Sequence, residues 1–485
     1  MTEIDPVWPM TVVDLAAAVR SGERTARWAV EQALAAIEAR NDEVNAFVAV
    51  DVEGALASAD EVDAAVARGE DPGPLAGVPF GVKDLEDAVG MVTSYGSVPF
   101  ADHPPATRDS VMVGRMRGAG GIPVGKTAAP EFGTLQYTRS AAWGTTRNPW
   151  HPDRTPGGSS GGSGAAVAGG LVPIATASDG GGSTRIPASF SGLVGFKPTL
   201  GLIPHPDQIP SLTAVKGALT TTVRDAARHL DVSAGVDDRD RYSIPVPPAL
   251  AGGSFEAAIE VLDVGGLRVM WSSDLGYAAV DPEVAELSAA AAEVLVAAAG
   301  LAPRDVDLAL TDPVRTWLSA GSIDLWTDIE RDMWPDRADD FTPFVRMALE
   351  VTADRPVRTL APSDARRKQL DREVAAIFDR GTGVDVLLTP TTAVAAFAAE
   401  GPPPLEIAGR DVNPAMSVPF TMLANLCGNA ACSVPAGVTS EGLPVGLQII
   451  GRRHADATVL RLARIFEQAQ PWARLAPGWP RADER

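Results

Sequence analysis

Residues 157–187 read GGSSGGSGAAVAGGLVPIATASDGGGSTRIP. Two glycine-rich loops, 157–163 and 180–183, each present serine, and an uncharged small-residue segment ending in the apolar run 171–176 separates them. A flexible linker shares the glycine-serine composition, but a linker is not split from its twin by a core-like run. The stretch therefore predicts a buried helix followed by a buried strand, which brings the two loops together at one edge of a sheet. Glycine lets a backbone approach a reacting group closely. A run of N–H groups in such a turn points at one place and favours an anion there. A serine closing that run is placed to attack a carbonyl, with its own loop holding the oxyanion that forms.

A serine nucleophile needs a base. The five histidines, His103, His151, His205, His229 and His454, sit in no recognisable Ser-His-Asp context, and neutral lysine is the alternative. Only five of the 41 basic residues are lysine: Lys83, Lys126, Lys197, Lys216 and Lys368. Arginine cannot be deprotonated in a protein, whereas a buried lysine can. Four of the five lie between residues 83 and 216, around the glycine loops. Residues 77–84, GVPFGVKD, read as a buried strand carrying Lys83 near its inner end. A buried lysine is rare unless paired or functional, so Lys83 reads either as a catalytic base or as a structural ion pair with Asp84 or Glu86.

Other classes are excluded by composition. A net charge of −21 and a pI of 4.7 leave no basic face for nucleic acid. Cys427 and Cys432 cannot build a disulfide framework or a four-ligand zinc site. Residues 1–5 are acidic with no apolar run behind them, so no signal peptide is visible, and the longest uncharged run reads as core, not a membrane span. The expectation is a cytoplasmic protein with no metal, no cofactor, no membrane and no nucleic-acid partner. One motif is a trap. Residues 120–127, GGIPVGKT, match the phosphate-binding P-loop pattern, which counts only between a strand and a helix. Here a helix precedes it, Pro123 sits inside a strand-like middle, and Pro130 follows where a helix should run.

Length alone suggests two or three domains. Along the chain, helices are expected over 11–20, 25–40 (closed by Asn41), 52–68, 109–118, 220–230, 282–299 and 455–470. Strands are expected over 46–50, 192–198, 267–271, 304–308, 384–390, 432–435 and 445–450, giving an α/β rhythm. Residues 312–380 form a tryptophan-rich helical insert, to be read either as core or as the roof of a pocket.

Six segments, GVPFGVKD (77–84), GKTAAPEF (125–132), GGSSGGSGAAVA (157–168), SDGGGSTRIPASFSGLVGFKPTLG (178–201), TTTVRDAA (220–227) and GLPVGLQIIG (442–451), together resemble the amidase signature family, in family order and over essentially the whole length. The resemblance implies an α/β fold: one domain over 1–485 with a mixed sheet of about eleven strands covered by helices on both faces; the insert at about 310–380, read from the residues alone, is still either core or the cover of the pocket. It implies amide hydrolysis without a cofactor. The family's nucleophile falls on Ser183, its bridging serine, held by a cis peptide bond, on Ser159, and its base on Lys83. Ser160 is the rival for the bridge. The oxyanion hole falls on backbone N–H groups of Gly180, Gly181, Gly182 and Ser183, with Asp179 and Arg185 as structural supports. A neutral Lys83 near pH 7 requires its pKa to fall by roughly three pH units, ~4 kcal/mol, with burial as the source.

Departures from the family's usual pattern include Ser178 and Gly180, where a threonine and a larger third residue are common. Losing a side chain at 180 is expected to widen the floor for a bulky acyl group. Tyr95, Tyr137, Trp317 and Trp326 are the candidate substrate contacts and favour an apolar substrate, an aryl amide, ester or urethane. The alternatives are a glutamine-hydrolysing protein that feeds ammonia to a partner, and a binding protein on a dead scaffold. The partner expected is a small-molecule amide or carbamate; a homo-oligomer is compatible with the sequence.

Overall fold

The computed structural model describes residues 10–306, 308, 310–329 and 333–477. The acidic N-terminus and the tail past Pro477 lie outside the described residues. Eleven strands form one mixed sheet: β1 (Phe47–Val50), β2 (Pro79–Lys83), β3 (Ile122–Thr127), β4 (Ile174–Asp179), β5 (Val194–Lys197), β6 (Val215–Thr220), β7 (Arg268–Trp271), β8 (Ala302–Pro303), β9 (Val386–Pro390), β10 (Ala431–Val438) and β11 (Pro444–Gly451). The spatial order is β1-β3-β2-β4-β6-β5-β10-β11-β9-β7-β8.

Both faces are apolar, which forces helices onto both. On β9, Val386 and Leu388 join one buried cluster while Leu387 joins another. The first cluster lies beneath the helices Val12–Arg20, Ala26–Val44, Pro282–Ala298 and Asp456–Ala469, the second beneath Ala361–Ile377 and Met422–Leu426. Thr11 and Thr25 cap the first two helices, accepting from Asp14 N at 3.0 Å and Trp28 N at 3.0 Å.

Four expectations need correction. The second helix does not stop at Asn41 but at Val44, with Asn45 at φ 49° supplying the left-handed exit; Asn41 instead brackets Phe47, accepting from its N–H at 2.7 Å. The segment 215–220 is a strand, and the helix expected at 220–230 is Val223–Ser233, capped by Thr222. The strand expected at 304–308 is a short one at Ala302–Pro303. Finally, the two glycine loops meet at the end of a central strand, not at an outer edge: the buried helix Gly161–Ala168 and β4 join them, and Ser160 N donates to Ser183 O at 3.3 Å.

Candidate active site

β2 ends on Lys83 and its neighbour β4 ends on Asp179, so both strands deliver polar side chains to the same end of the sheet. Lys83 is fully buried. Its N–H is taken by Thr176 Oγ1 at 2.8 Å, and its amine lies 2.8 Å from Ser159 Oγ and 2.9 Å from Ser178 Oγ. The peptide bond Gly158–Ser159 is cis. Ser160 faces elsewhere: its hydroxyl sits 3.4 Å from the backbone O of Ser178.

The anions expected beside Lys83 are occupied by other lysines. Asp84 lies 3.7 Å from the Lys126 amine, and Glu86 is in close contact with Lys216. Burial, and then the Lys216 charge, push the Lys83 pKa down to about 7, against smaller opposing pulls from Glu86 and Asp179. Lys126, the lysine of the P-loop pattern, is buried within β3 and donates to Thr93 Oγ1 at 2.9 Å and to Glu86 O. It cannot reach a phosphate.

The second glycine loop is held by its carbonyls. Trp317 Nε1 donates to Gly180 O at 2.7 Å, Thr421 Oγ1 to Gly181 O at 2.6 Å, and Ile186 N to Gly182 O at 2.7 Å. Because a trans peptide points its N–H away from its C=O, these anchors fix where the amides of Gly181, Gly182 and Ser183 aim. The Gly182 amide donates to Asp179 Oδ1 at 2.7 Å. This corrects its expected place among the oxyanion donors: its hydrogen is committed to the scaffold. The amides of Gly180, Gly181 and Ser183 have no protein acceptor among the described residues. At φ 127°, with a Cβ that would lie 2.3 Å from Thr421 Oγ1, position 182 admits only glycine.

Asp179 and Arg185 brace the loop from below. Arg185 donates to both Asp179 oxygens at 2.9 Å, to Gln448 Oε1 at 2.6 Å and to Asn425 Oδ1 at 2.7 Å. Burial alone would raise the Asp179 pKa, but Arg185, with Lys197 and Asn425, outweighs it and holds it at about 2.

Ser183, Ser159, Ser178, Gly180 and Gly181 open onto a cavity of about 640 Å³, a volume ordinary for a small-molecule site. Tyr95, Phe132 and Trp317 line it; Tyr137 and Trp326 do not. Tyr137 instead packs edge-on to Phe397 at 6.0 Å, and Trp326 packs on Trp334 at 6.1 Å. Much of the remaining wall, including Leu318, Leu325, Phe344 and Met347, comes from the helical insert. At Gly180 a Cβ would have no neighbour closer than 4.0 Å, so the floor is open there. Tyr95 and Phe132 hold left-handed backbones, φ 54° and 49°, unusual for aromatic residues. Sequence reasoning missed Phe132 and the anchors Thr421, Asn425 and Gln448. Phe132 and Gln448 lie within the motif segments 125–132 and 442–451, but nothing in those runs marks them as site residues, and Thr421 and Asn425 fall outside every motif. Lys216 stood out in the sequence only as one of five scarce lysines, with no role attached to it.

Among the described residues no group of acids, histidines and cysteines could hold a metal, and no helix is long and apolar enough to cross a membrane. The amidase family model matches residues 29–460. An acylamidase of Rhodococcus erythropolis is 36% identical over 98% of both chains. One chain of the glutamyl-tRNA(Gln) amidotransferase of Lachnospira eligens is 34% identical over 95% of this chain and 98% of its own length. A solved bacterial aryl acylamidase described as an amidase signature enzyme superposes with a TM-score of 0.90 at 30% identity, covering 96% of this chain and 98% of that one.

Proposed function

The chain belongs to the amidase signature family, and from that premise we propose that it is a free-standing hydrolase of apolar amides, working through an acyl-enzyme on Ser183. The observation that carries the reading is the Lys83 amine, buried, without a carboxylate of its own and 2.8 Å from Ser159 Oγ. Neutral Lys83 accepts the Ser159 proton as Ser159 Oγ accepts that of Ser183. Ser183 Oγ bonds to the amide carbon, and the carbonyl electrons move onto oxygen, where the free amides of Gly181 and Ser183 stabilise them. Collapse breaks the C–N bond, and the departing amine takes a proton from Ser159, which Lys83 replenishes. Water then enters by the same relay, and the acid leaves. Catalysis draws only on side chains and backbone of this chain.

Apolar lining by Tyr95, Phe132, Trp317 and Leu318 favours an aryl or long alkyl group over the charged side of glutamine. The similarity to a chain of a glutamyl-tRNA(Gln) amidotransferase keeps glutamine as the second reading. A panel of p-nitroanilides, esters, carbamates and glutamine decides: turnover of the aryl substrates, abolished in Ser183→Ala, is the expected result. Comparable turnover in that variant, or glutamine as the sole substrate, would overturn it.

A further inference from the structure

Lys83, Ser178 and Lys216 stand side by side on three adjacent strands, β2, β4 and β6. Ser178 is directly opposite Lys216 in the register of β4 and β6, which puts both side chains on one face. The same Ser178 hydroxyl touches the Lys83 amine at 2.9 Å. Glu86 follows β2 by three residues, and its N–H donates to Lys83 O at 2.9 Å. Yet its carboxylate, 2% exposed, is engaged by Lys216 and not by Lys83. Its second oxygen, Oε2, has no hydrogen-bond partner. Both Glu86 and Lys216 line the cavity.

We propose that Lys216 is a positioning residue: by holding the Glu86 carboxylate it withholds that anion from Lys83 and leaves the Lys83 amine free to take the Ser159 proton. The inference rests on the relay described above. The ionisable groups that act on Lys83 are Lys216 from β6, Glu86 from the turn after β2 and Asp179 from β4. Lys216 in turn acts on His205 and Asp328 across the cavity. Lys126 and Asp84 form their own pair beyond Glu86. Lys126 and Lys216 thus take the carboxylates of Asp84 and Glu86, and Lys83 is left without one. Losing Lys216 removes a neighbouring cation and releases an anion. Both changes favour a protonated, inactive Lys83.

The test is the pH dependence of the rate at which a fluorophosphonate probe labels Ser183, followed by mass spectrometry. Wild type, Lys216→Met, Glu86→Gln and the double variant are compared, with melting curves for each. Lys216→Met should move the acid limb up by about one pH unit or more, slowing labelling below the limb roughly tenfold. Glu86→Gln should move it down, the double variant should fall between the two, and Lys216→Arg should keep the wild-type limb. A merely structural pair would not give shifts of opposite sign. Coincident limbs in folded variants, or an upward shift in Glu86→Gln, overturn this inference alone; if Lys216→Met does not fold, the Glu86→Gln and double-variant limbs decide. A wild-type Ser183 that never labels overturns the relay as well.

Discussion

At Lys83, charge and chemistry can be separated. Arginine keeps the charge but cannot lose its proton. Lys83→Arg should therefore lower kcat/KM by about 10³-fold, within the span general bases contribute, and should also lower the melting temperature, because a larger and permanent cation is buried without a carboxylate of its own. Retained turnover in a steady-state assay would remove lysine from the mechanism. The sign of the wild-type pH profile follows from the same amine. Its pKa is lowered to about 7 by burial, so activity should rise with pH through that value as the neutral form appears. Position 83 was legible in the sequence because lysine is scarce and the run around it is apolar. Its partner was not: Glu86 lies nearer in sequence, but the fold brings Lys216 to Glu86 from 130 residues away.

At the scale of the element, the loop 180–183 shows which glycines are needed for space. A Cβ at Gly182 would lie 2.3 Å from Thr421 Oγ1 on a positive-φ backbone, whereas at Gly180 the nearest atoms, Ala214 Cβ and Thr213 Oγ1, are 4.0 Å away. Gly182→Ala should cost about 2 kcal/mol or more and most of the activity. Gly180→Ala should melt within a few degrees of wild type and only narrow the range of acyl groups accepted. Urea unfolding with activity on a graded acyl series checks both. The helix–strand pair between the loops was readable because small and apolar residues leave few other uses for it. The strand β6 was not. Its sequence, VKGALT, carries a charge and a glycine mid-run, and only the buried pairing with Glu86 makes a lysine tolerable there. The second helix ends at Asn45, four positions past the stop expected at Asn41, and the sequence could not separate the two because both asparagines carry the same local stop signal.

Across the whole molecule, strands from residue 47 to residue 451 belong to one sheet, and β10 and β11, late in the chain, sit among strands made from its middle. We therefore propose that the chain folds as one unit despite its length, and calorimetry should show a single cooperative transition. Two separable transitions would mark the insert or an end as an independent domain. The insert is tied to the core through Glu131, buried, which accepts from Ser97 Oγ at 2.6 Å with one oxygen and from Thr342 N at 2.8 Å with the other. Trp317 makes another tie, and its indole both walls the cavity and grips the carbonyl of Gly180, three residues before Ser183. Substrate range and turnover are thereby yoked to one ring. Any evolutionary or engineered exchange of that tryptophan for a roomier residue to admit a new substrate will also release the hold on Gly180 O, in the backbone proposed to bind the oxyanion. Broader appetite in this enzyme comes bundled with slower chemistry unless a compensating anchor appears elsewhere.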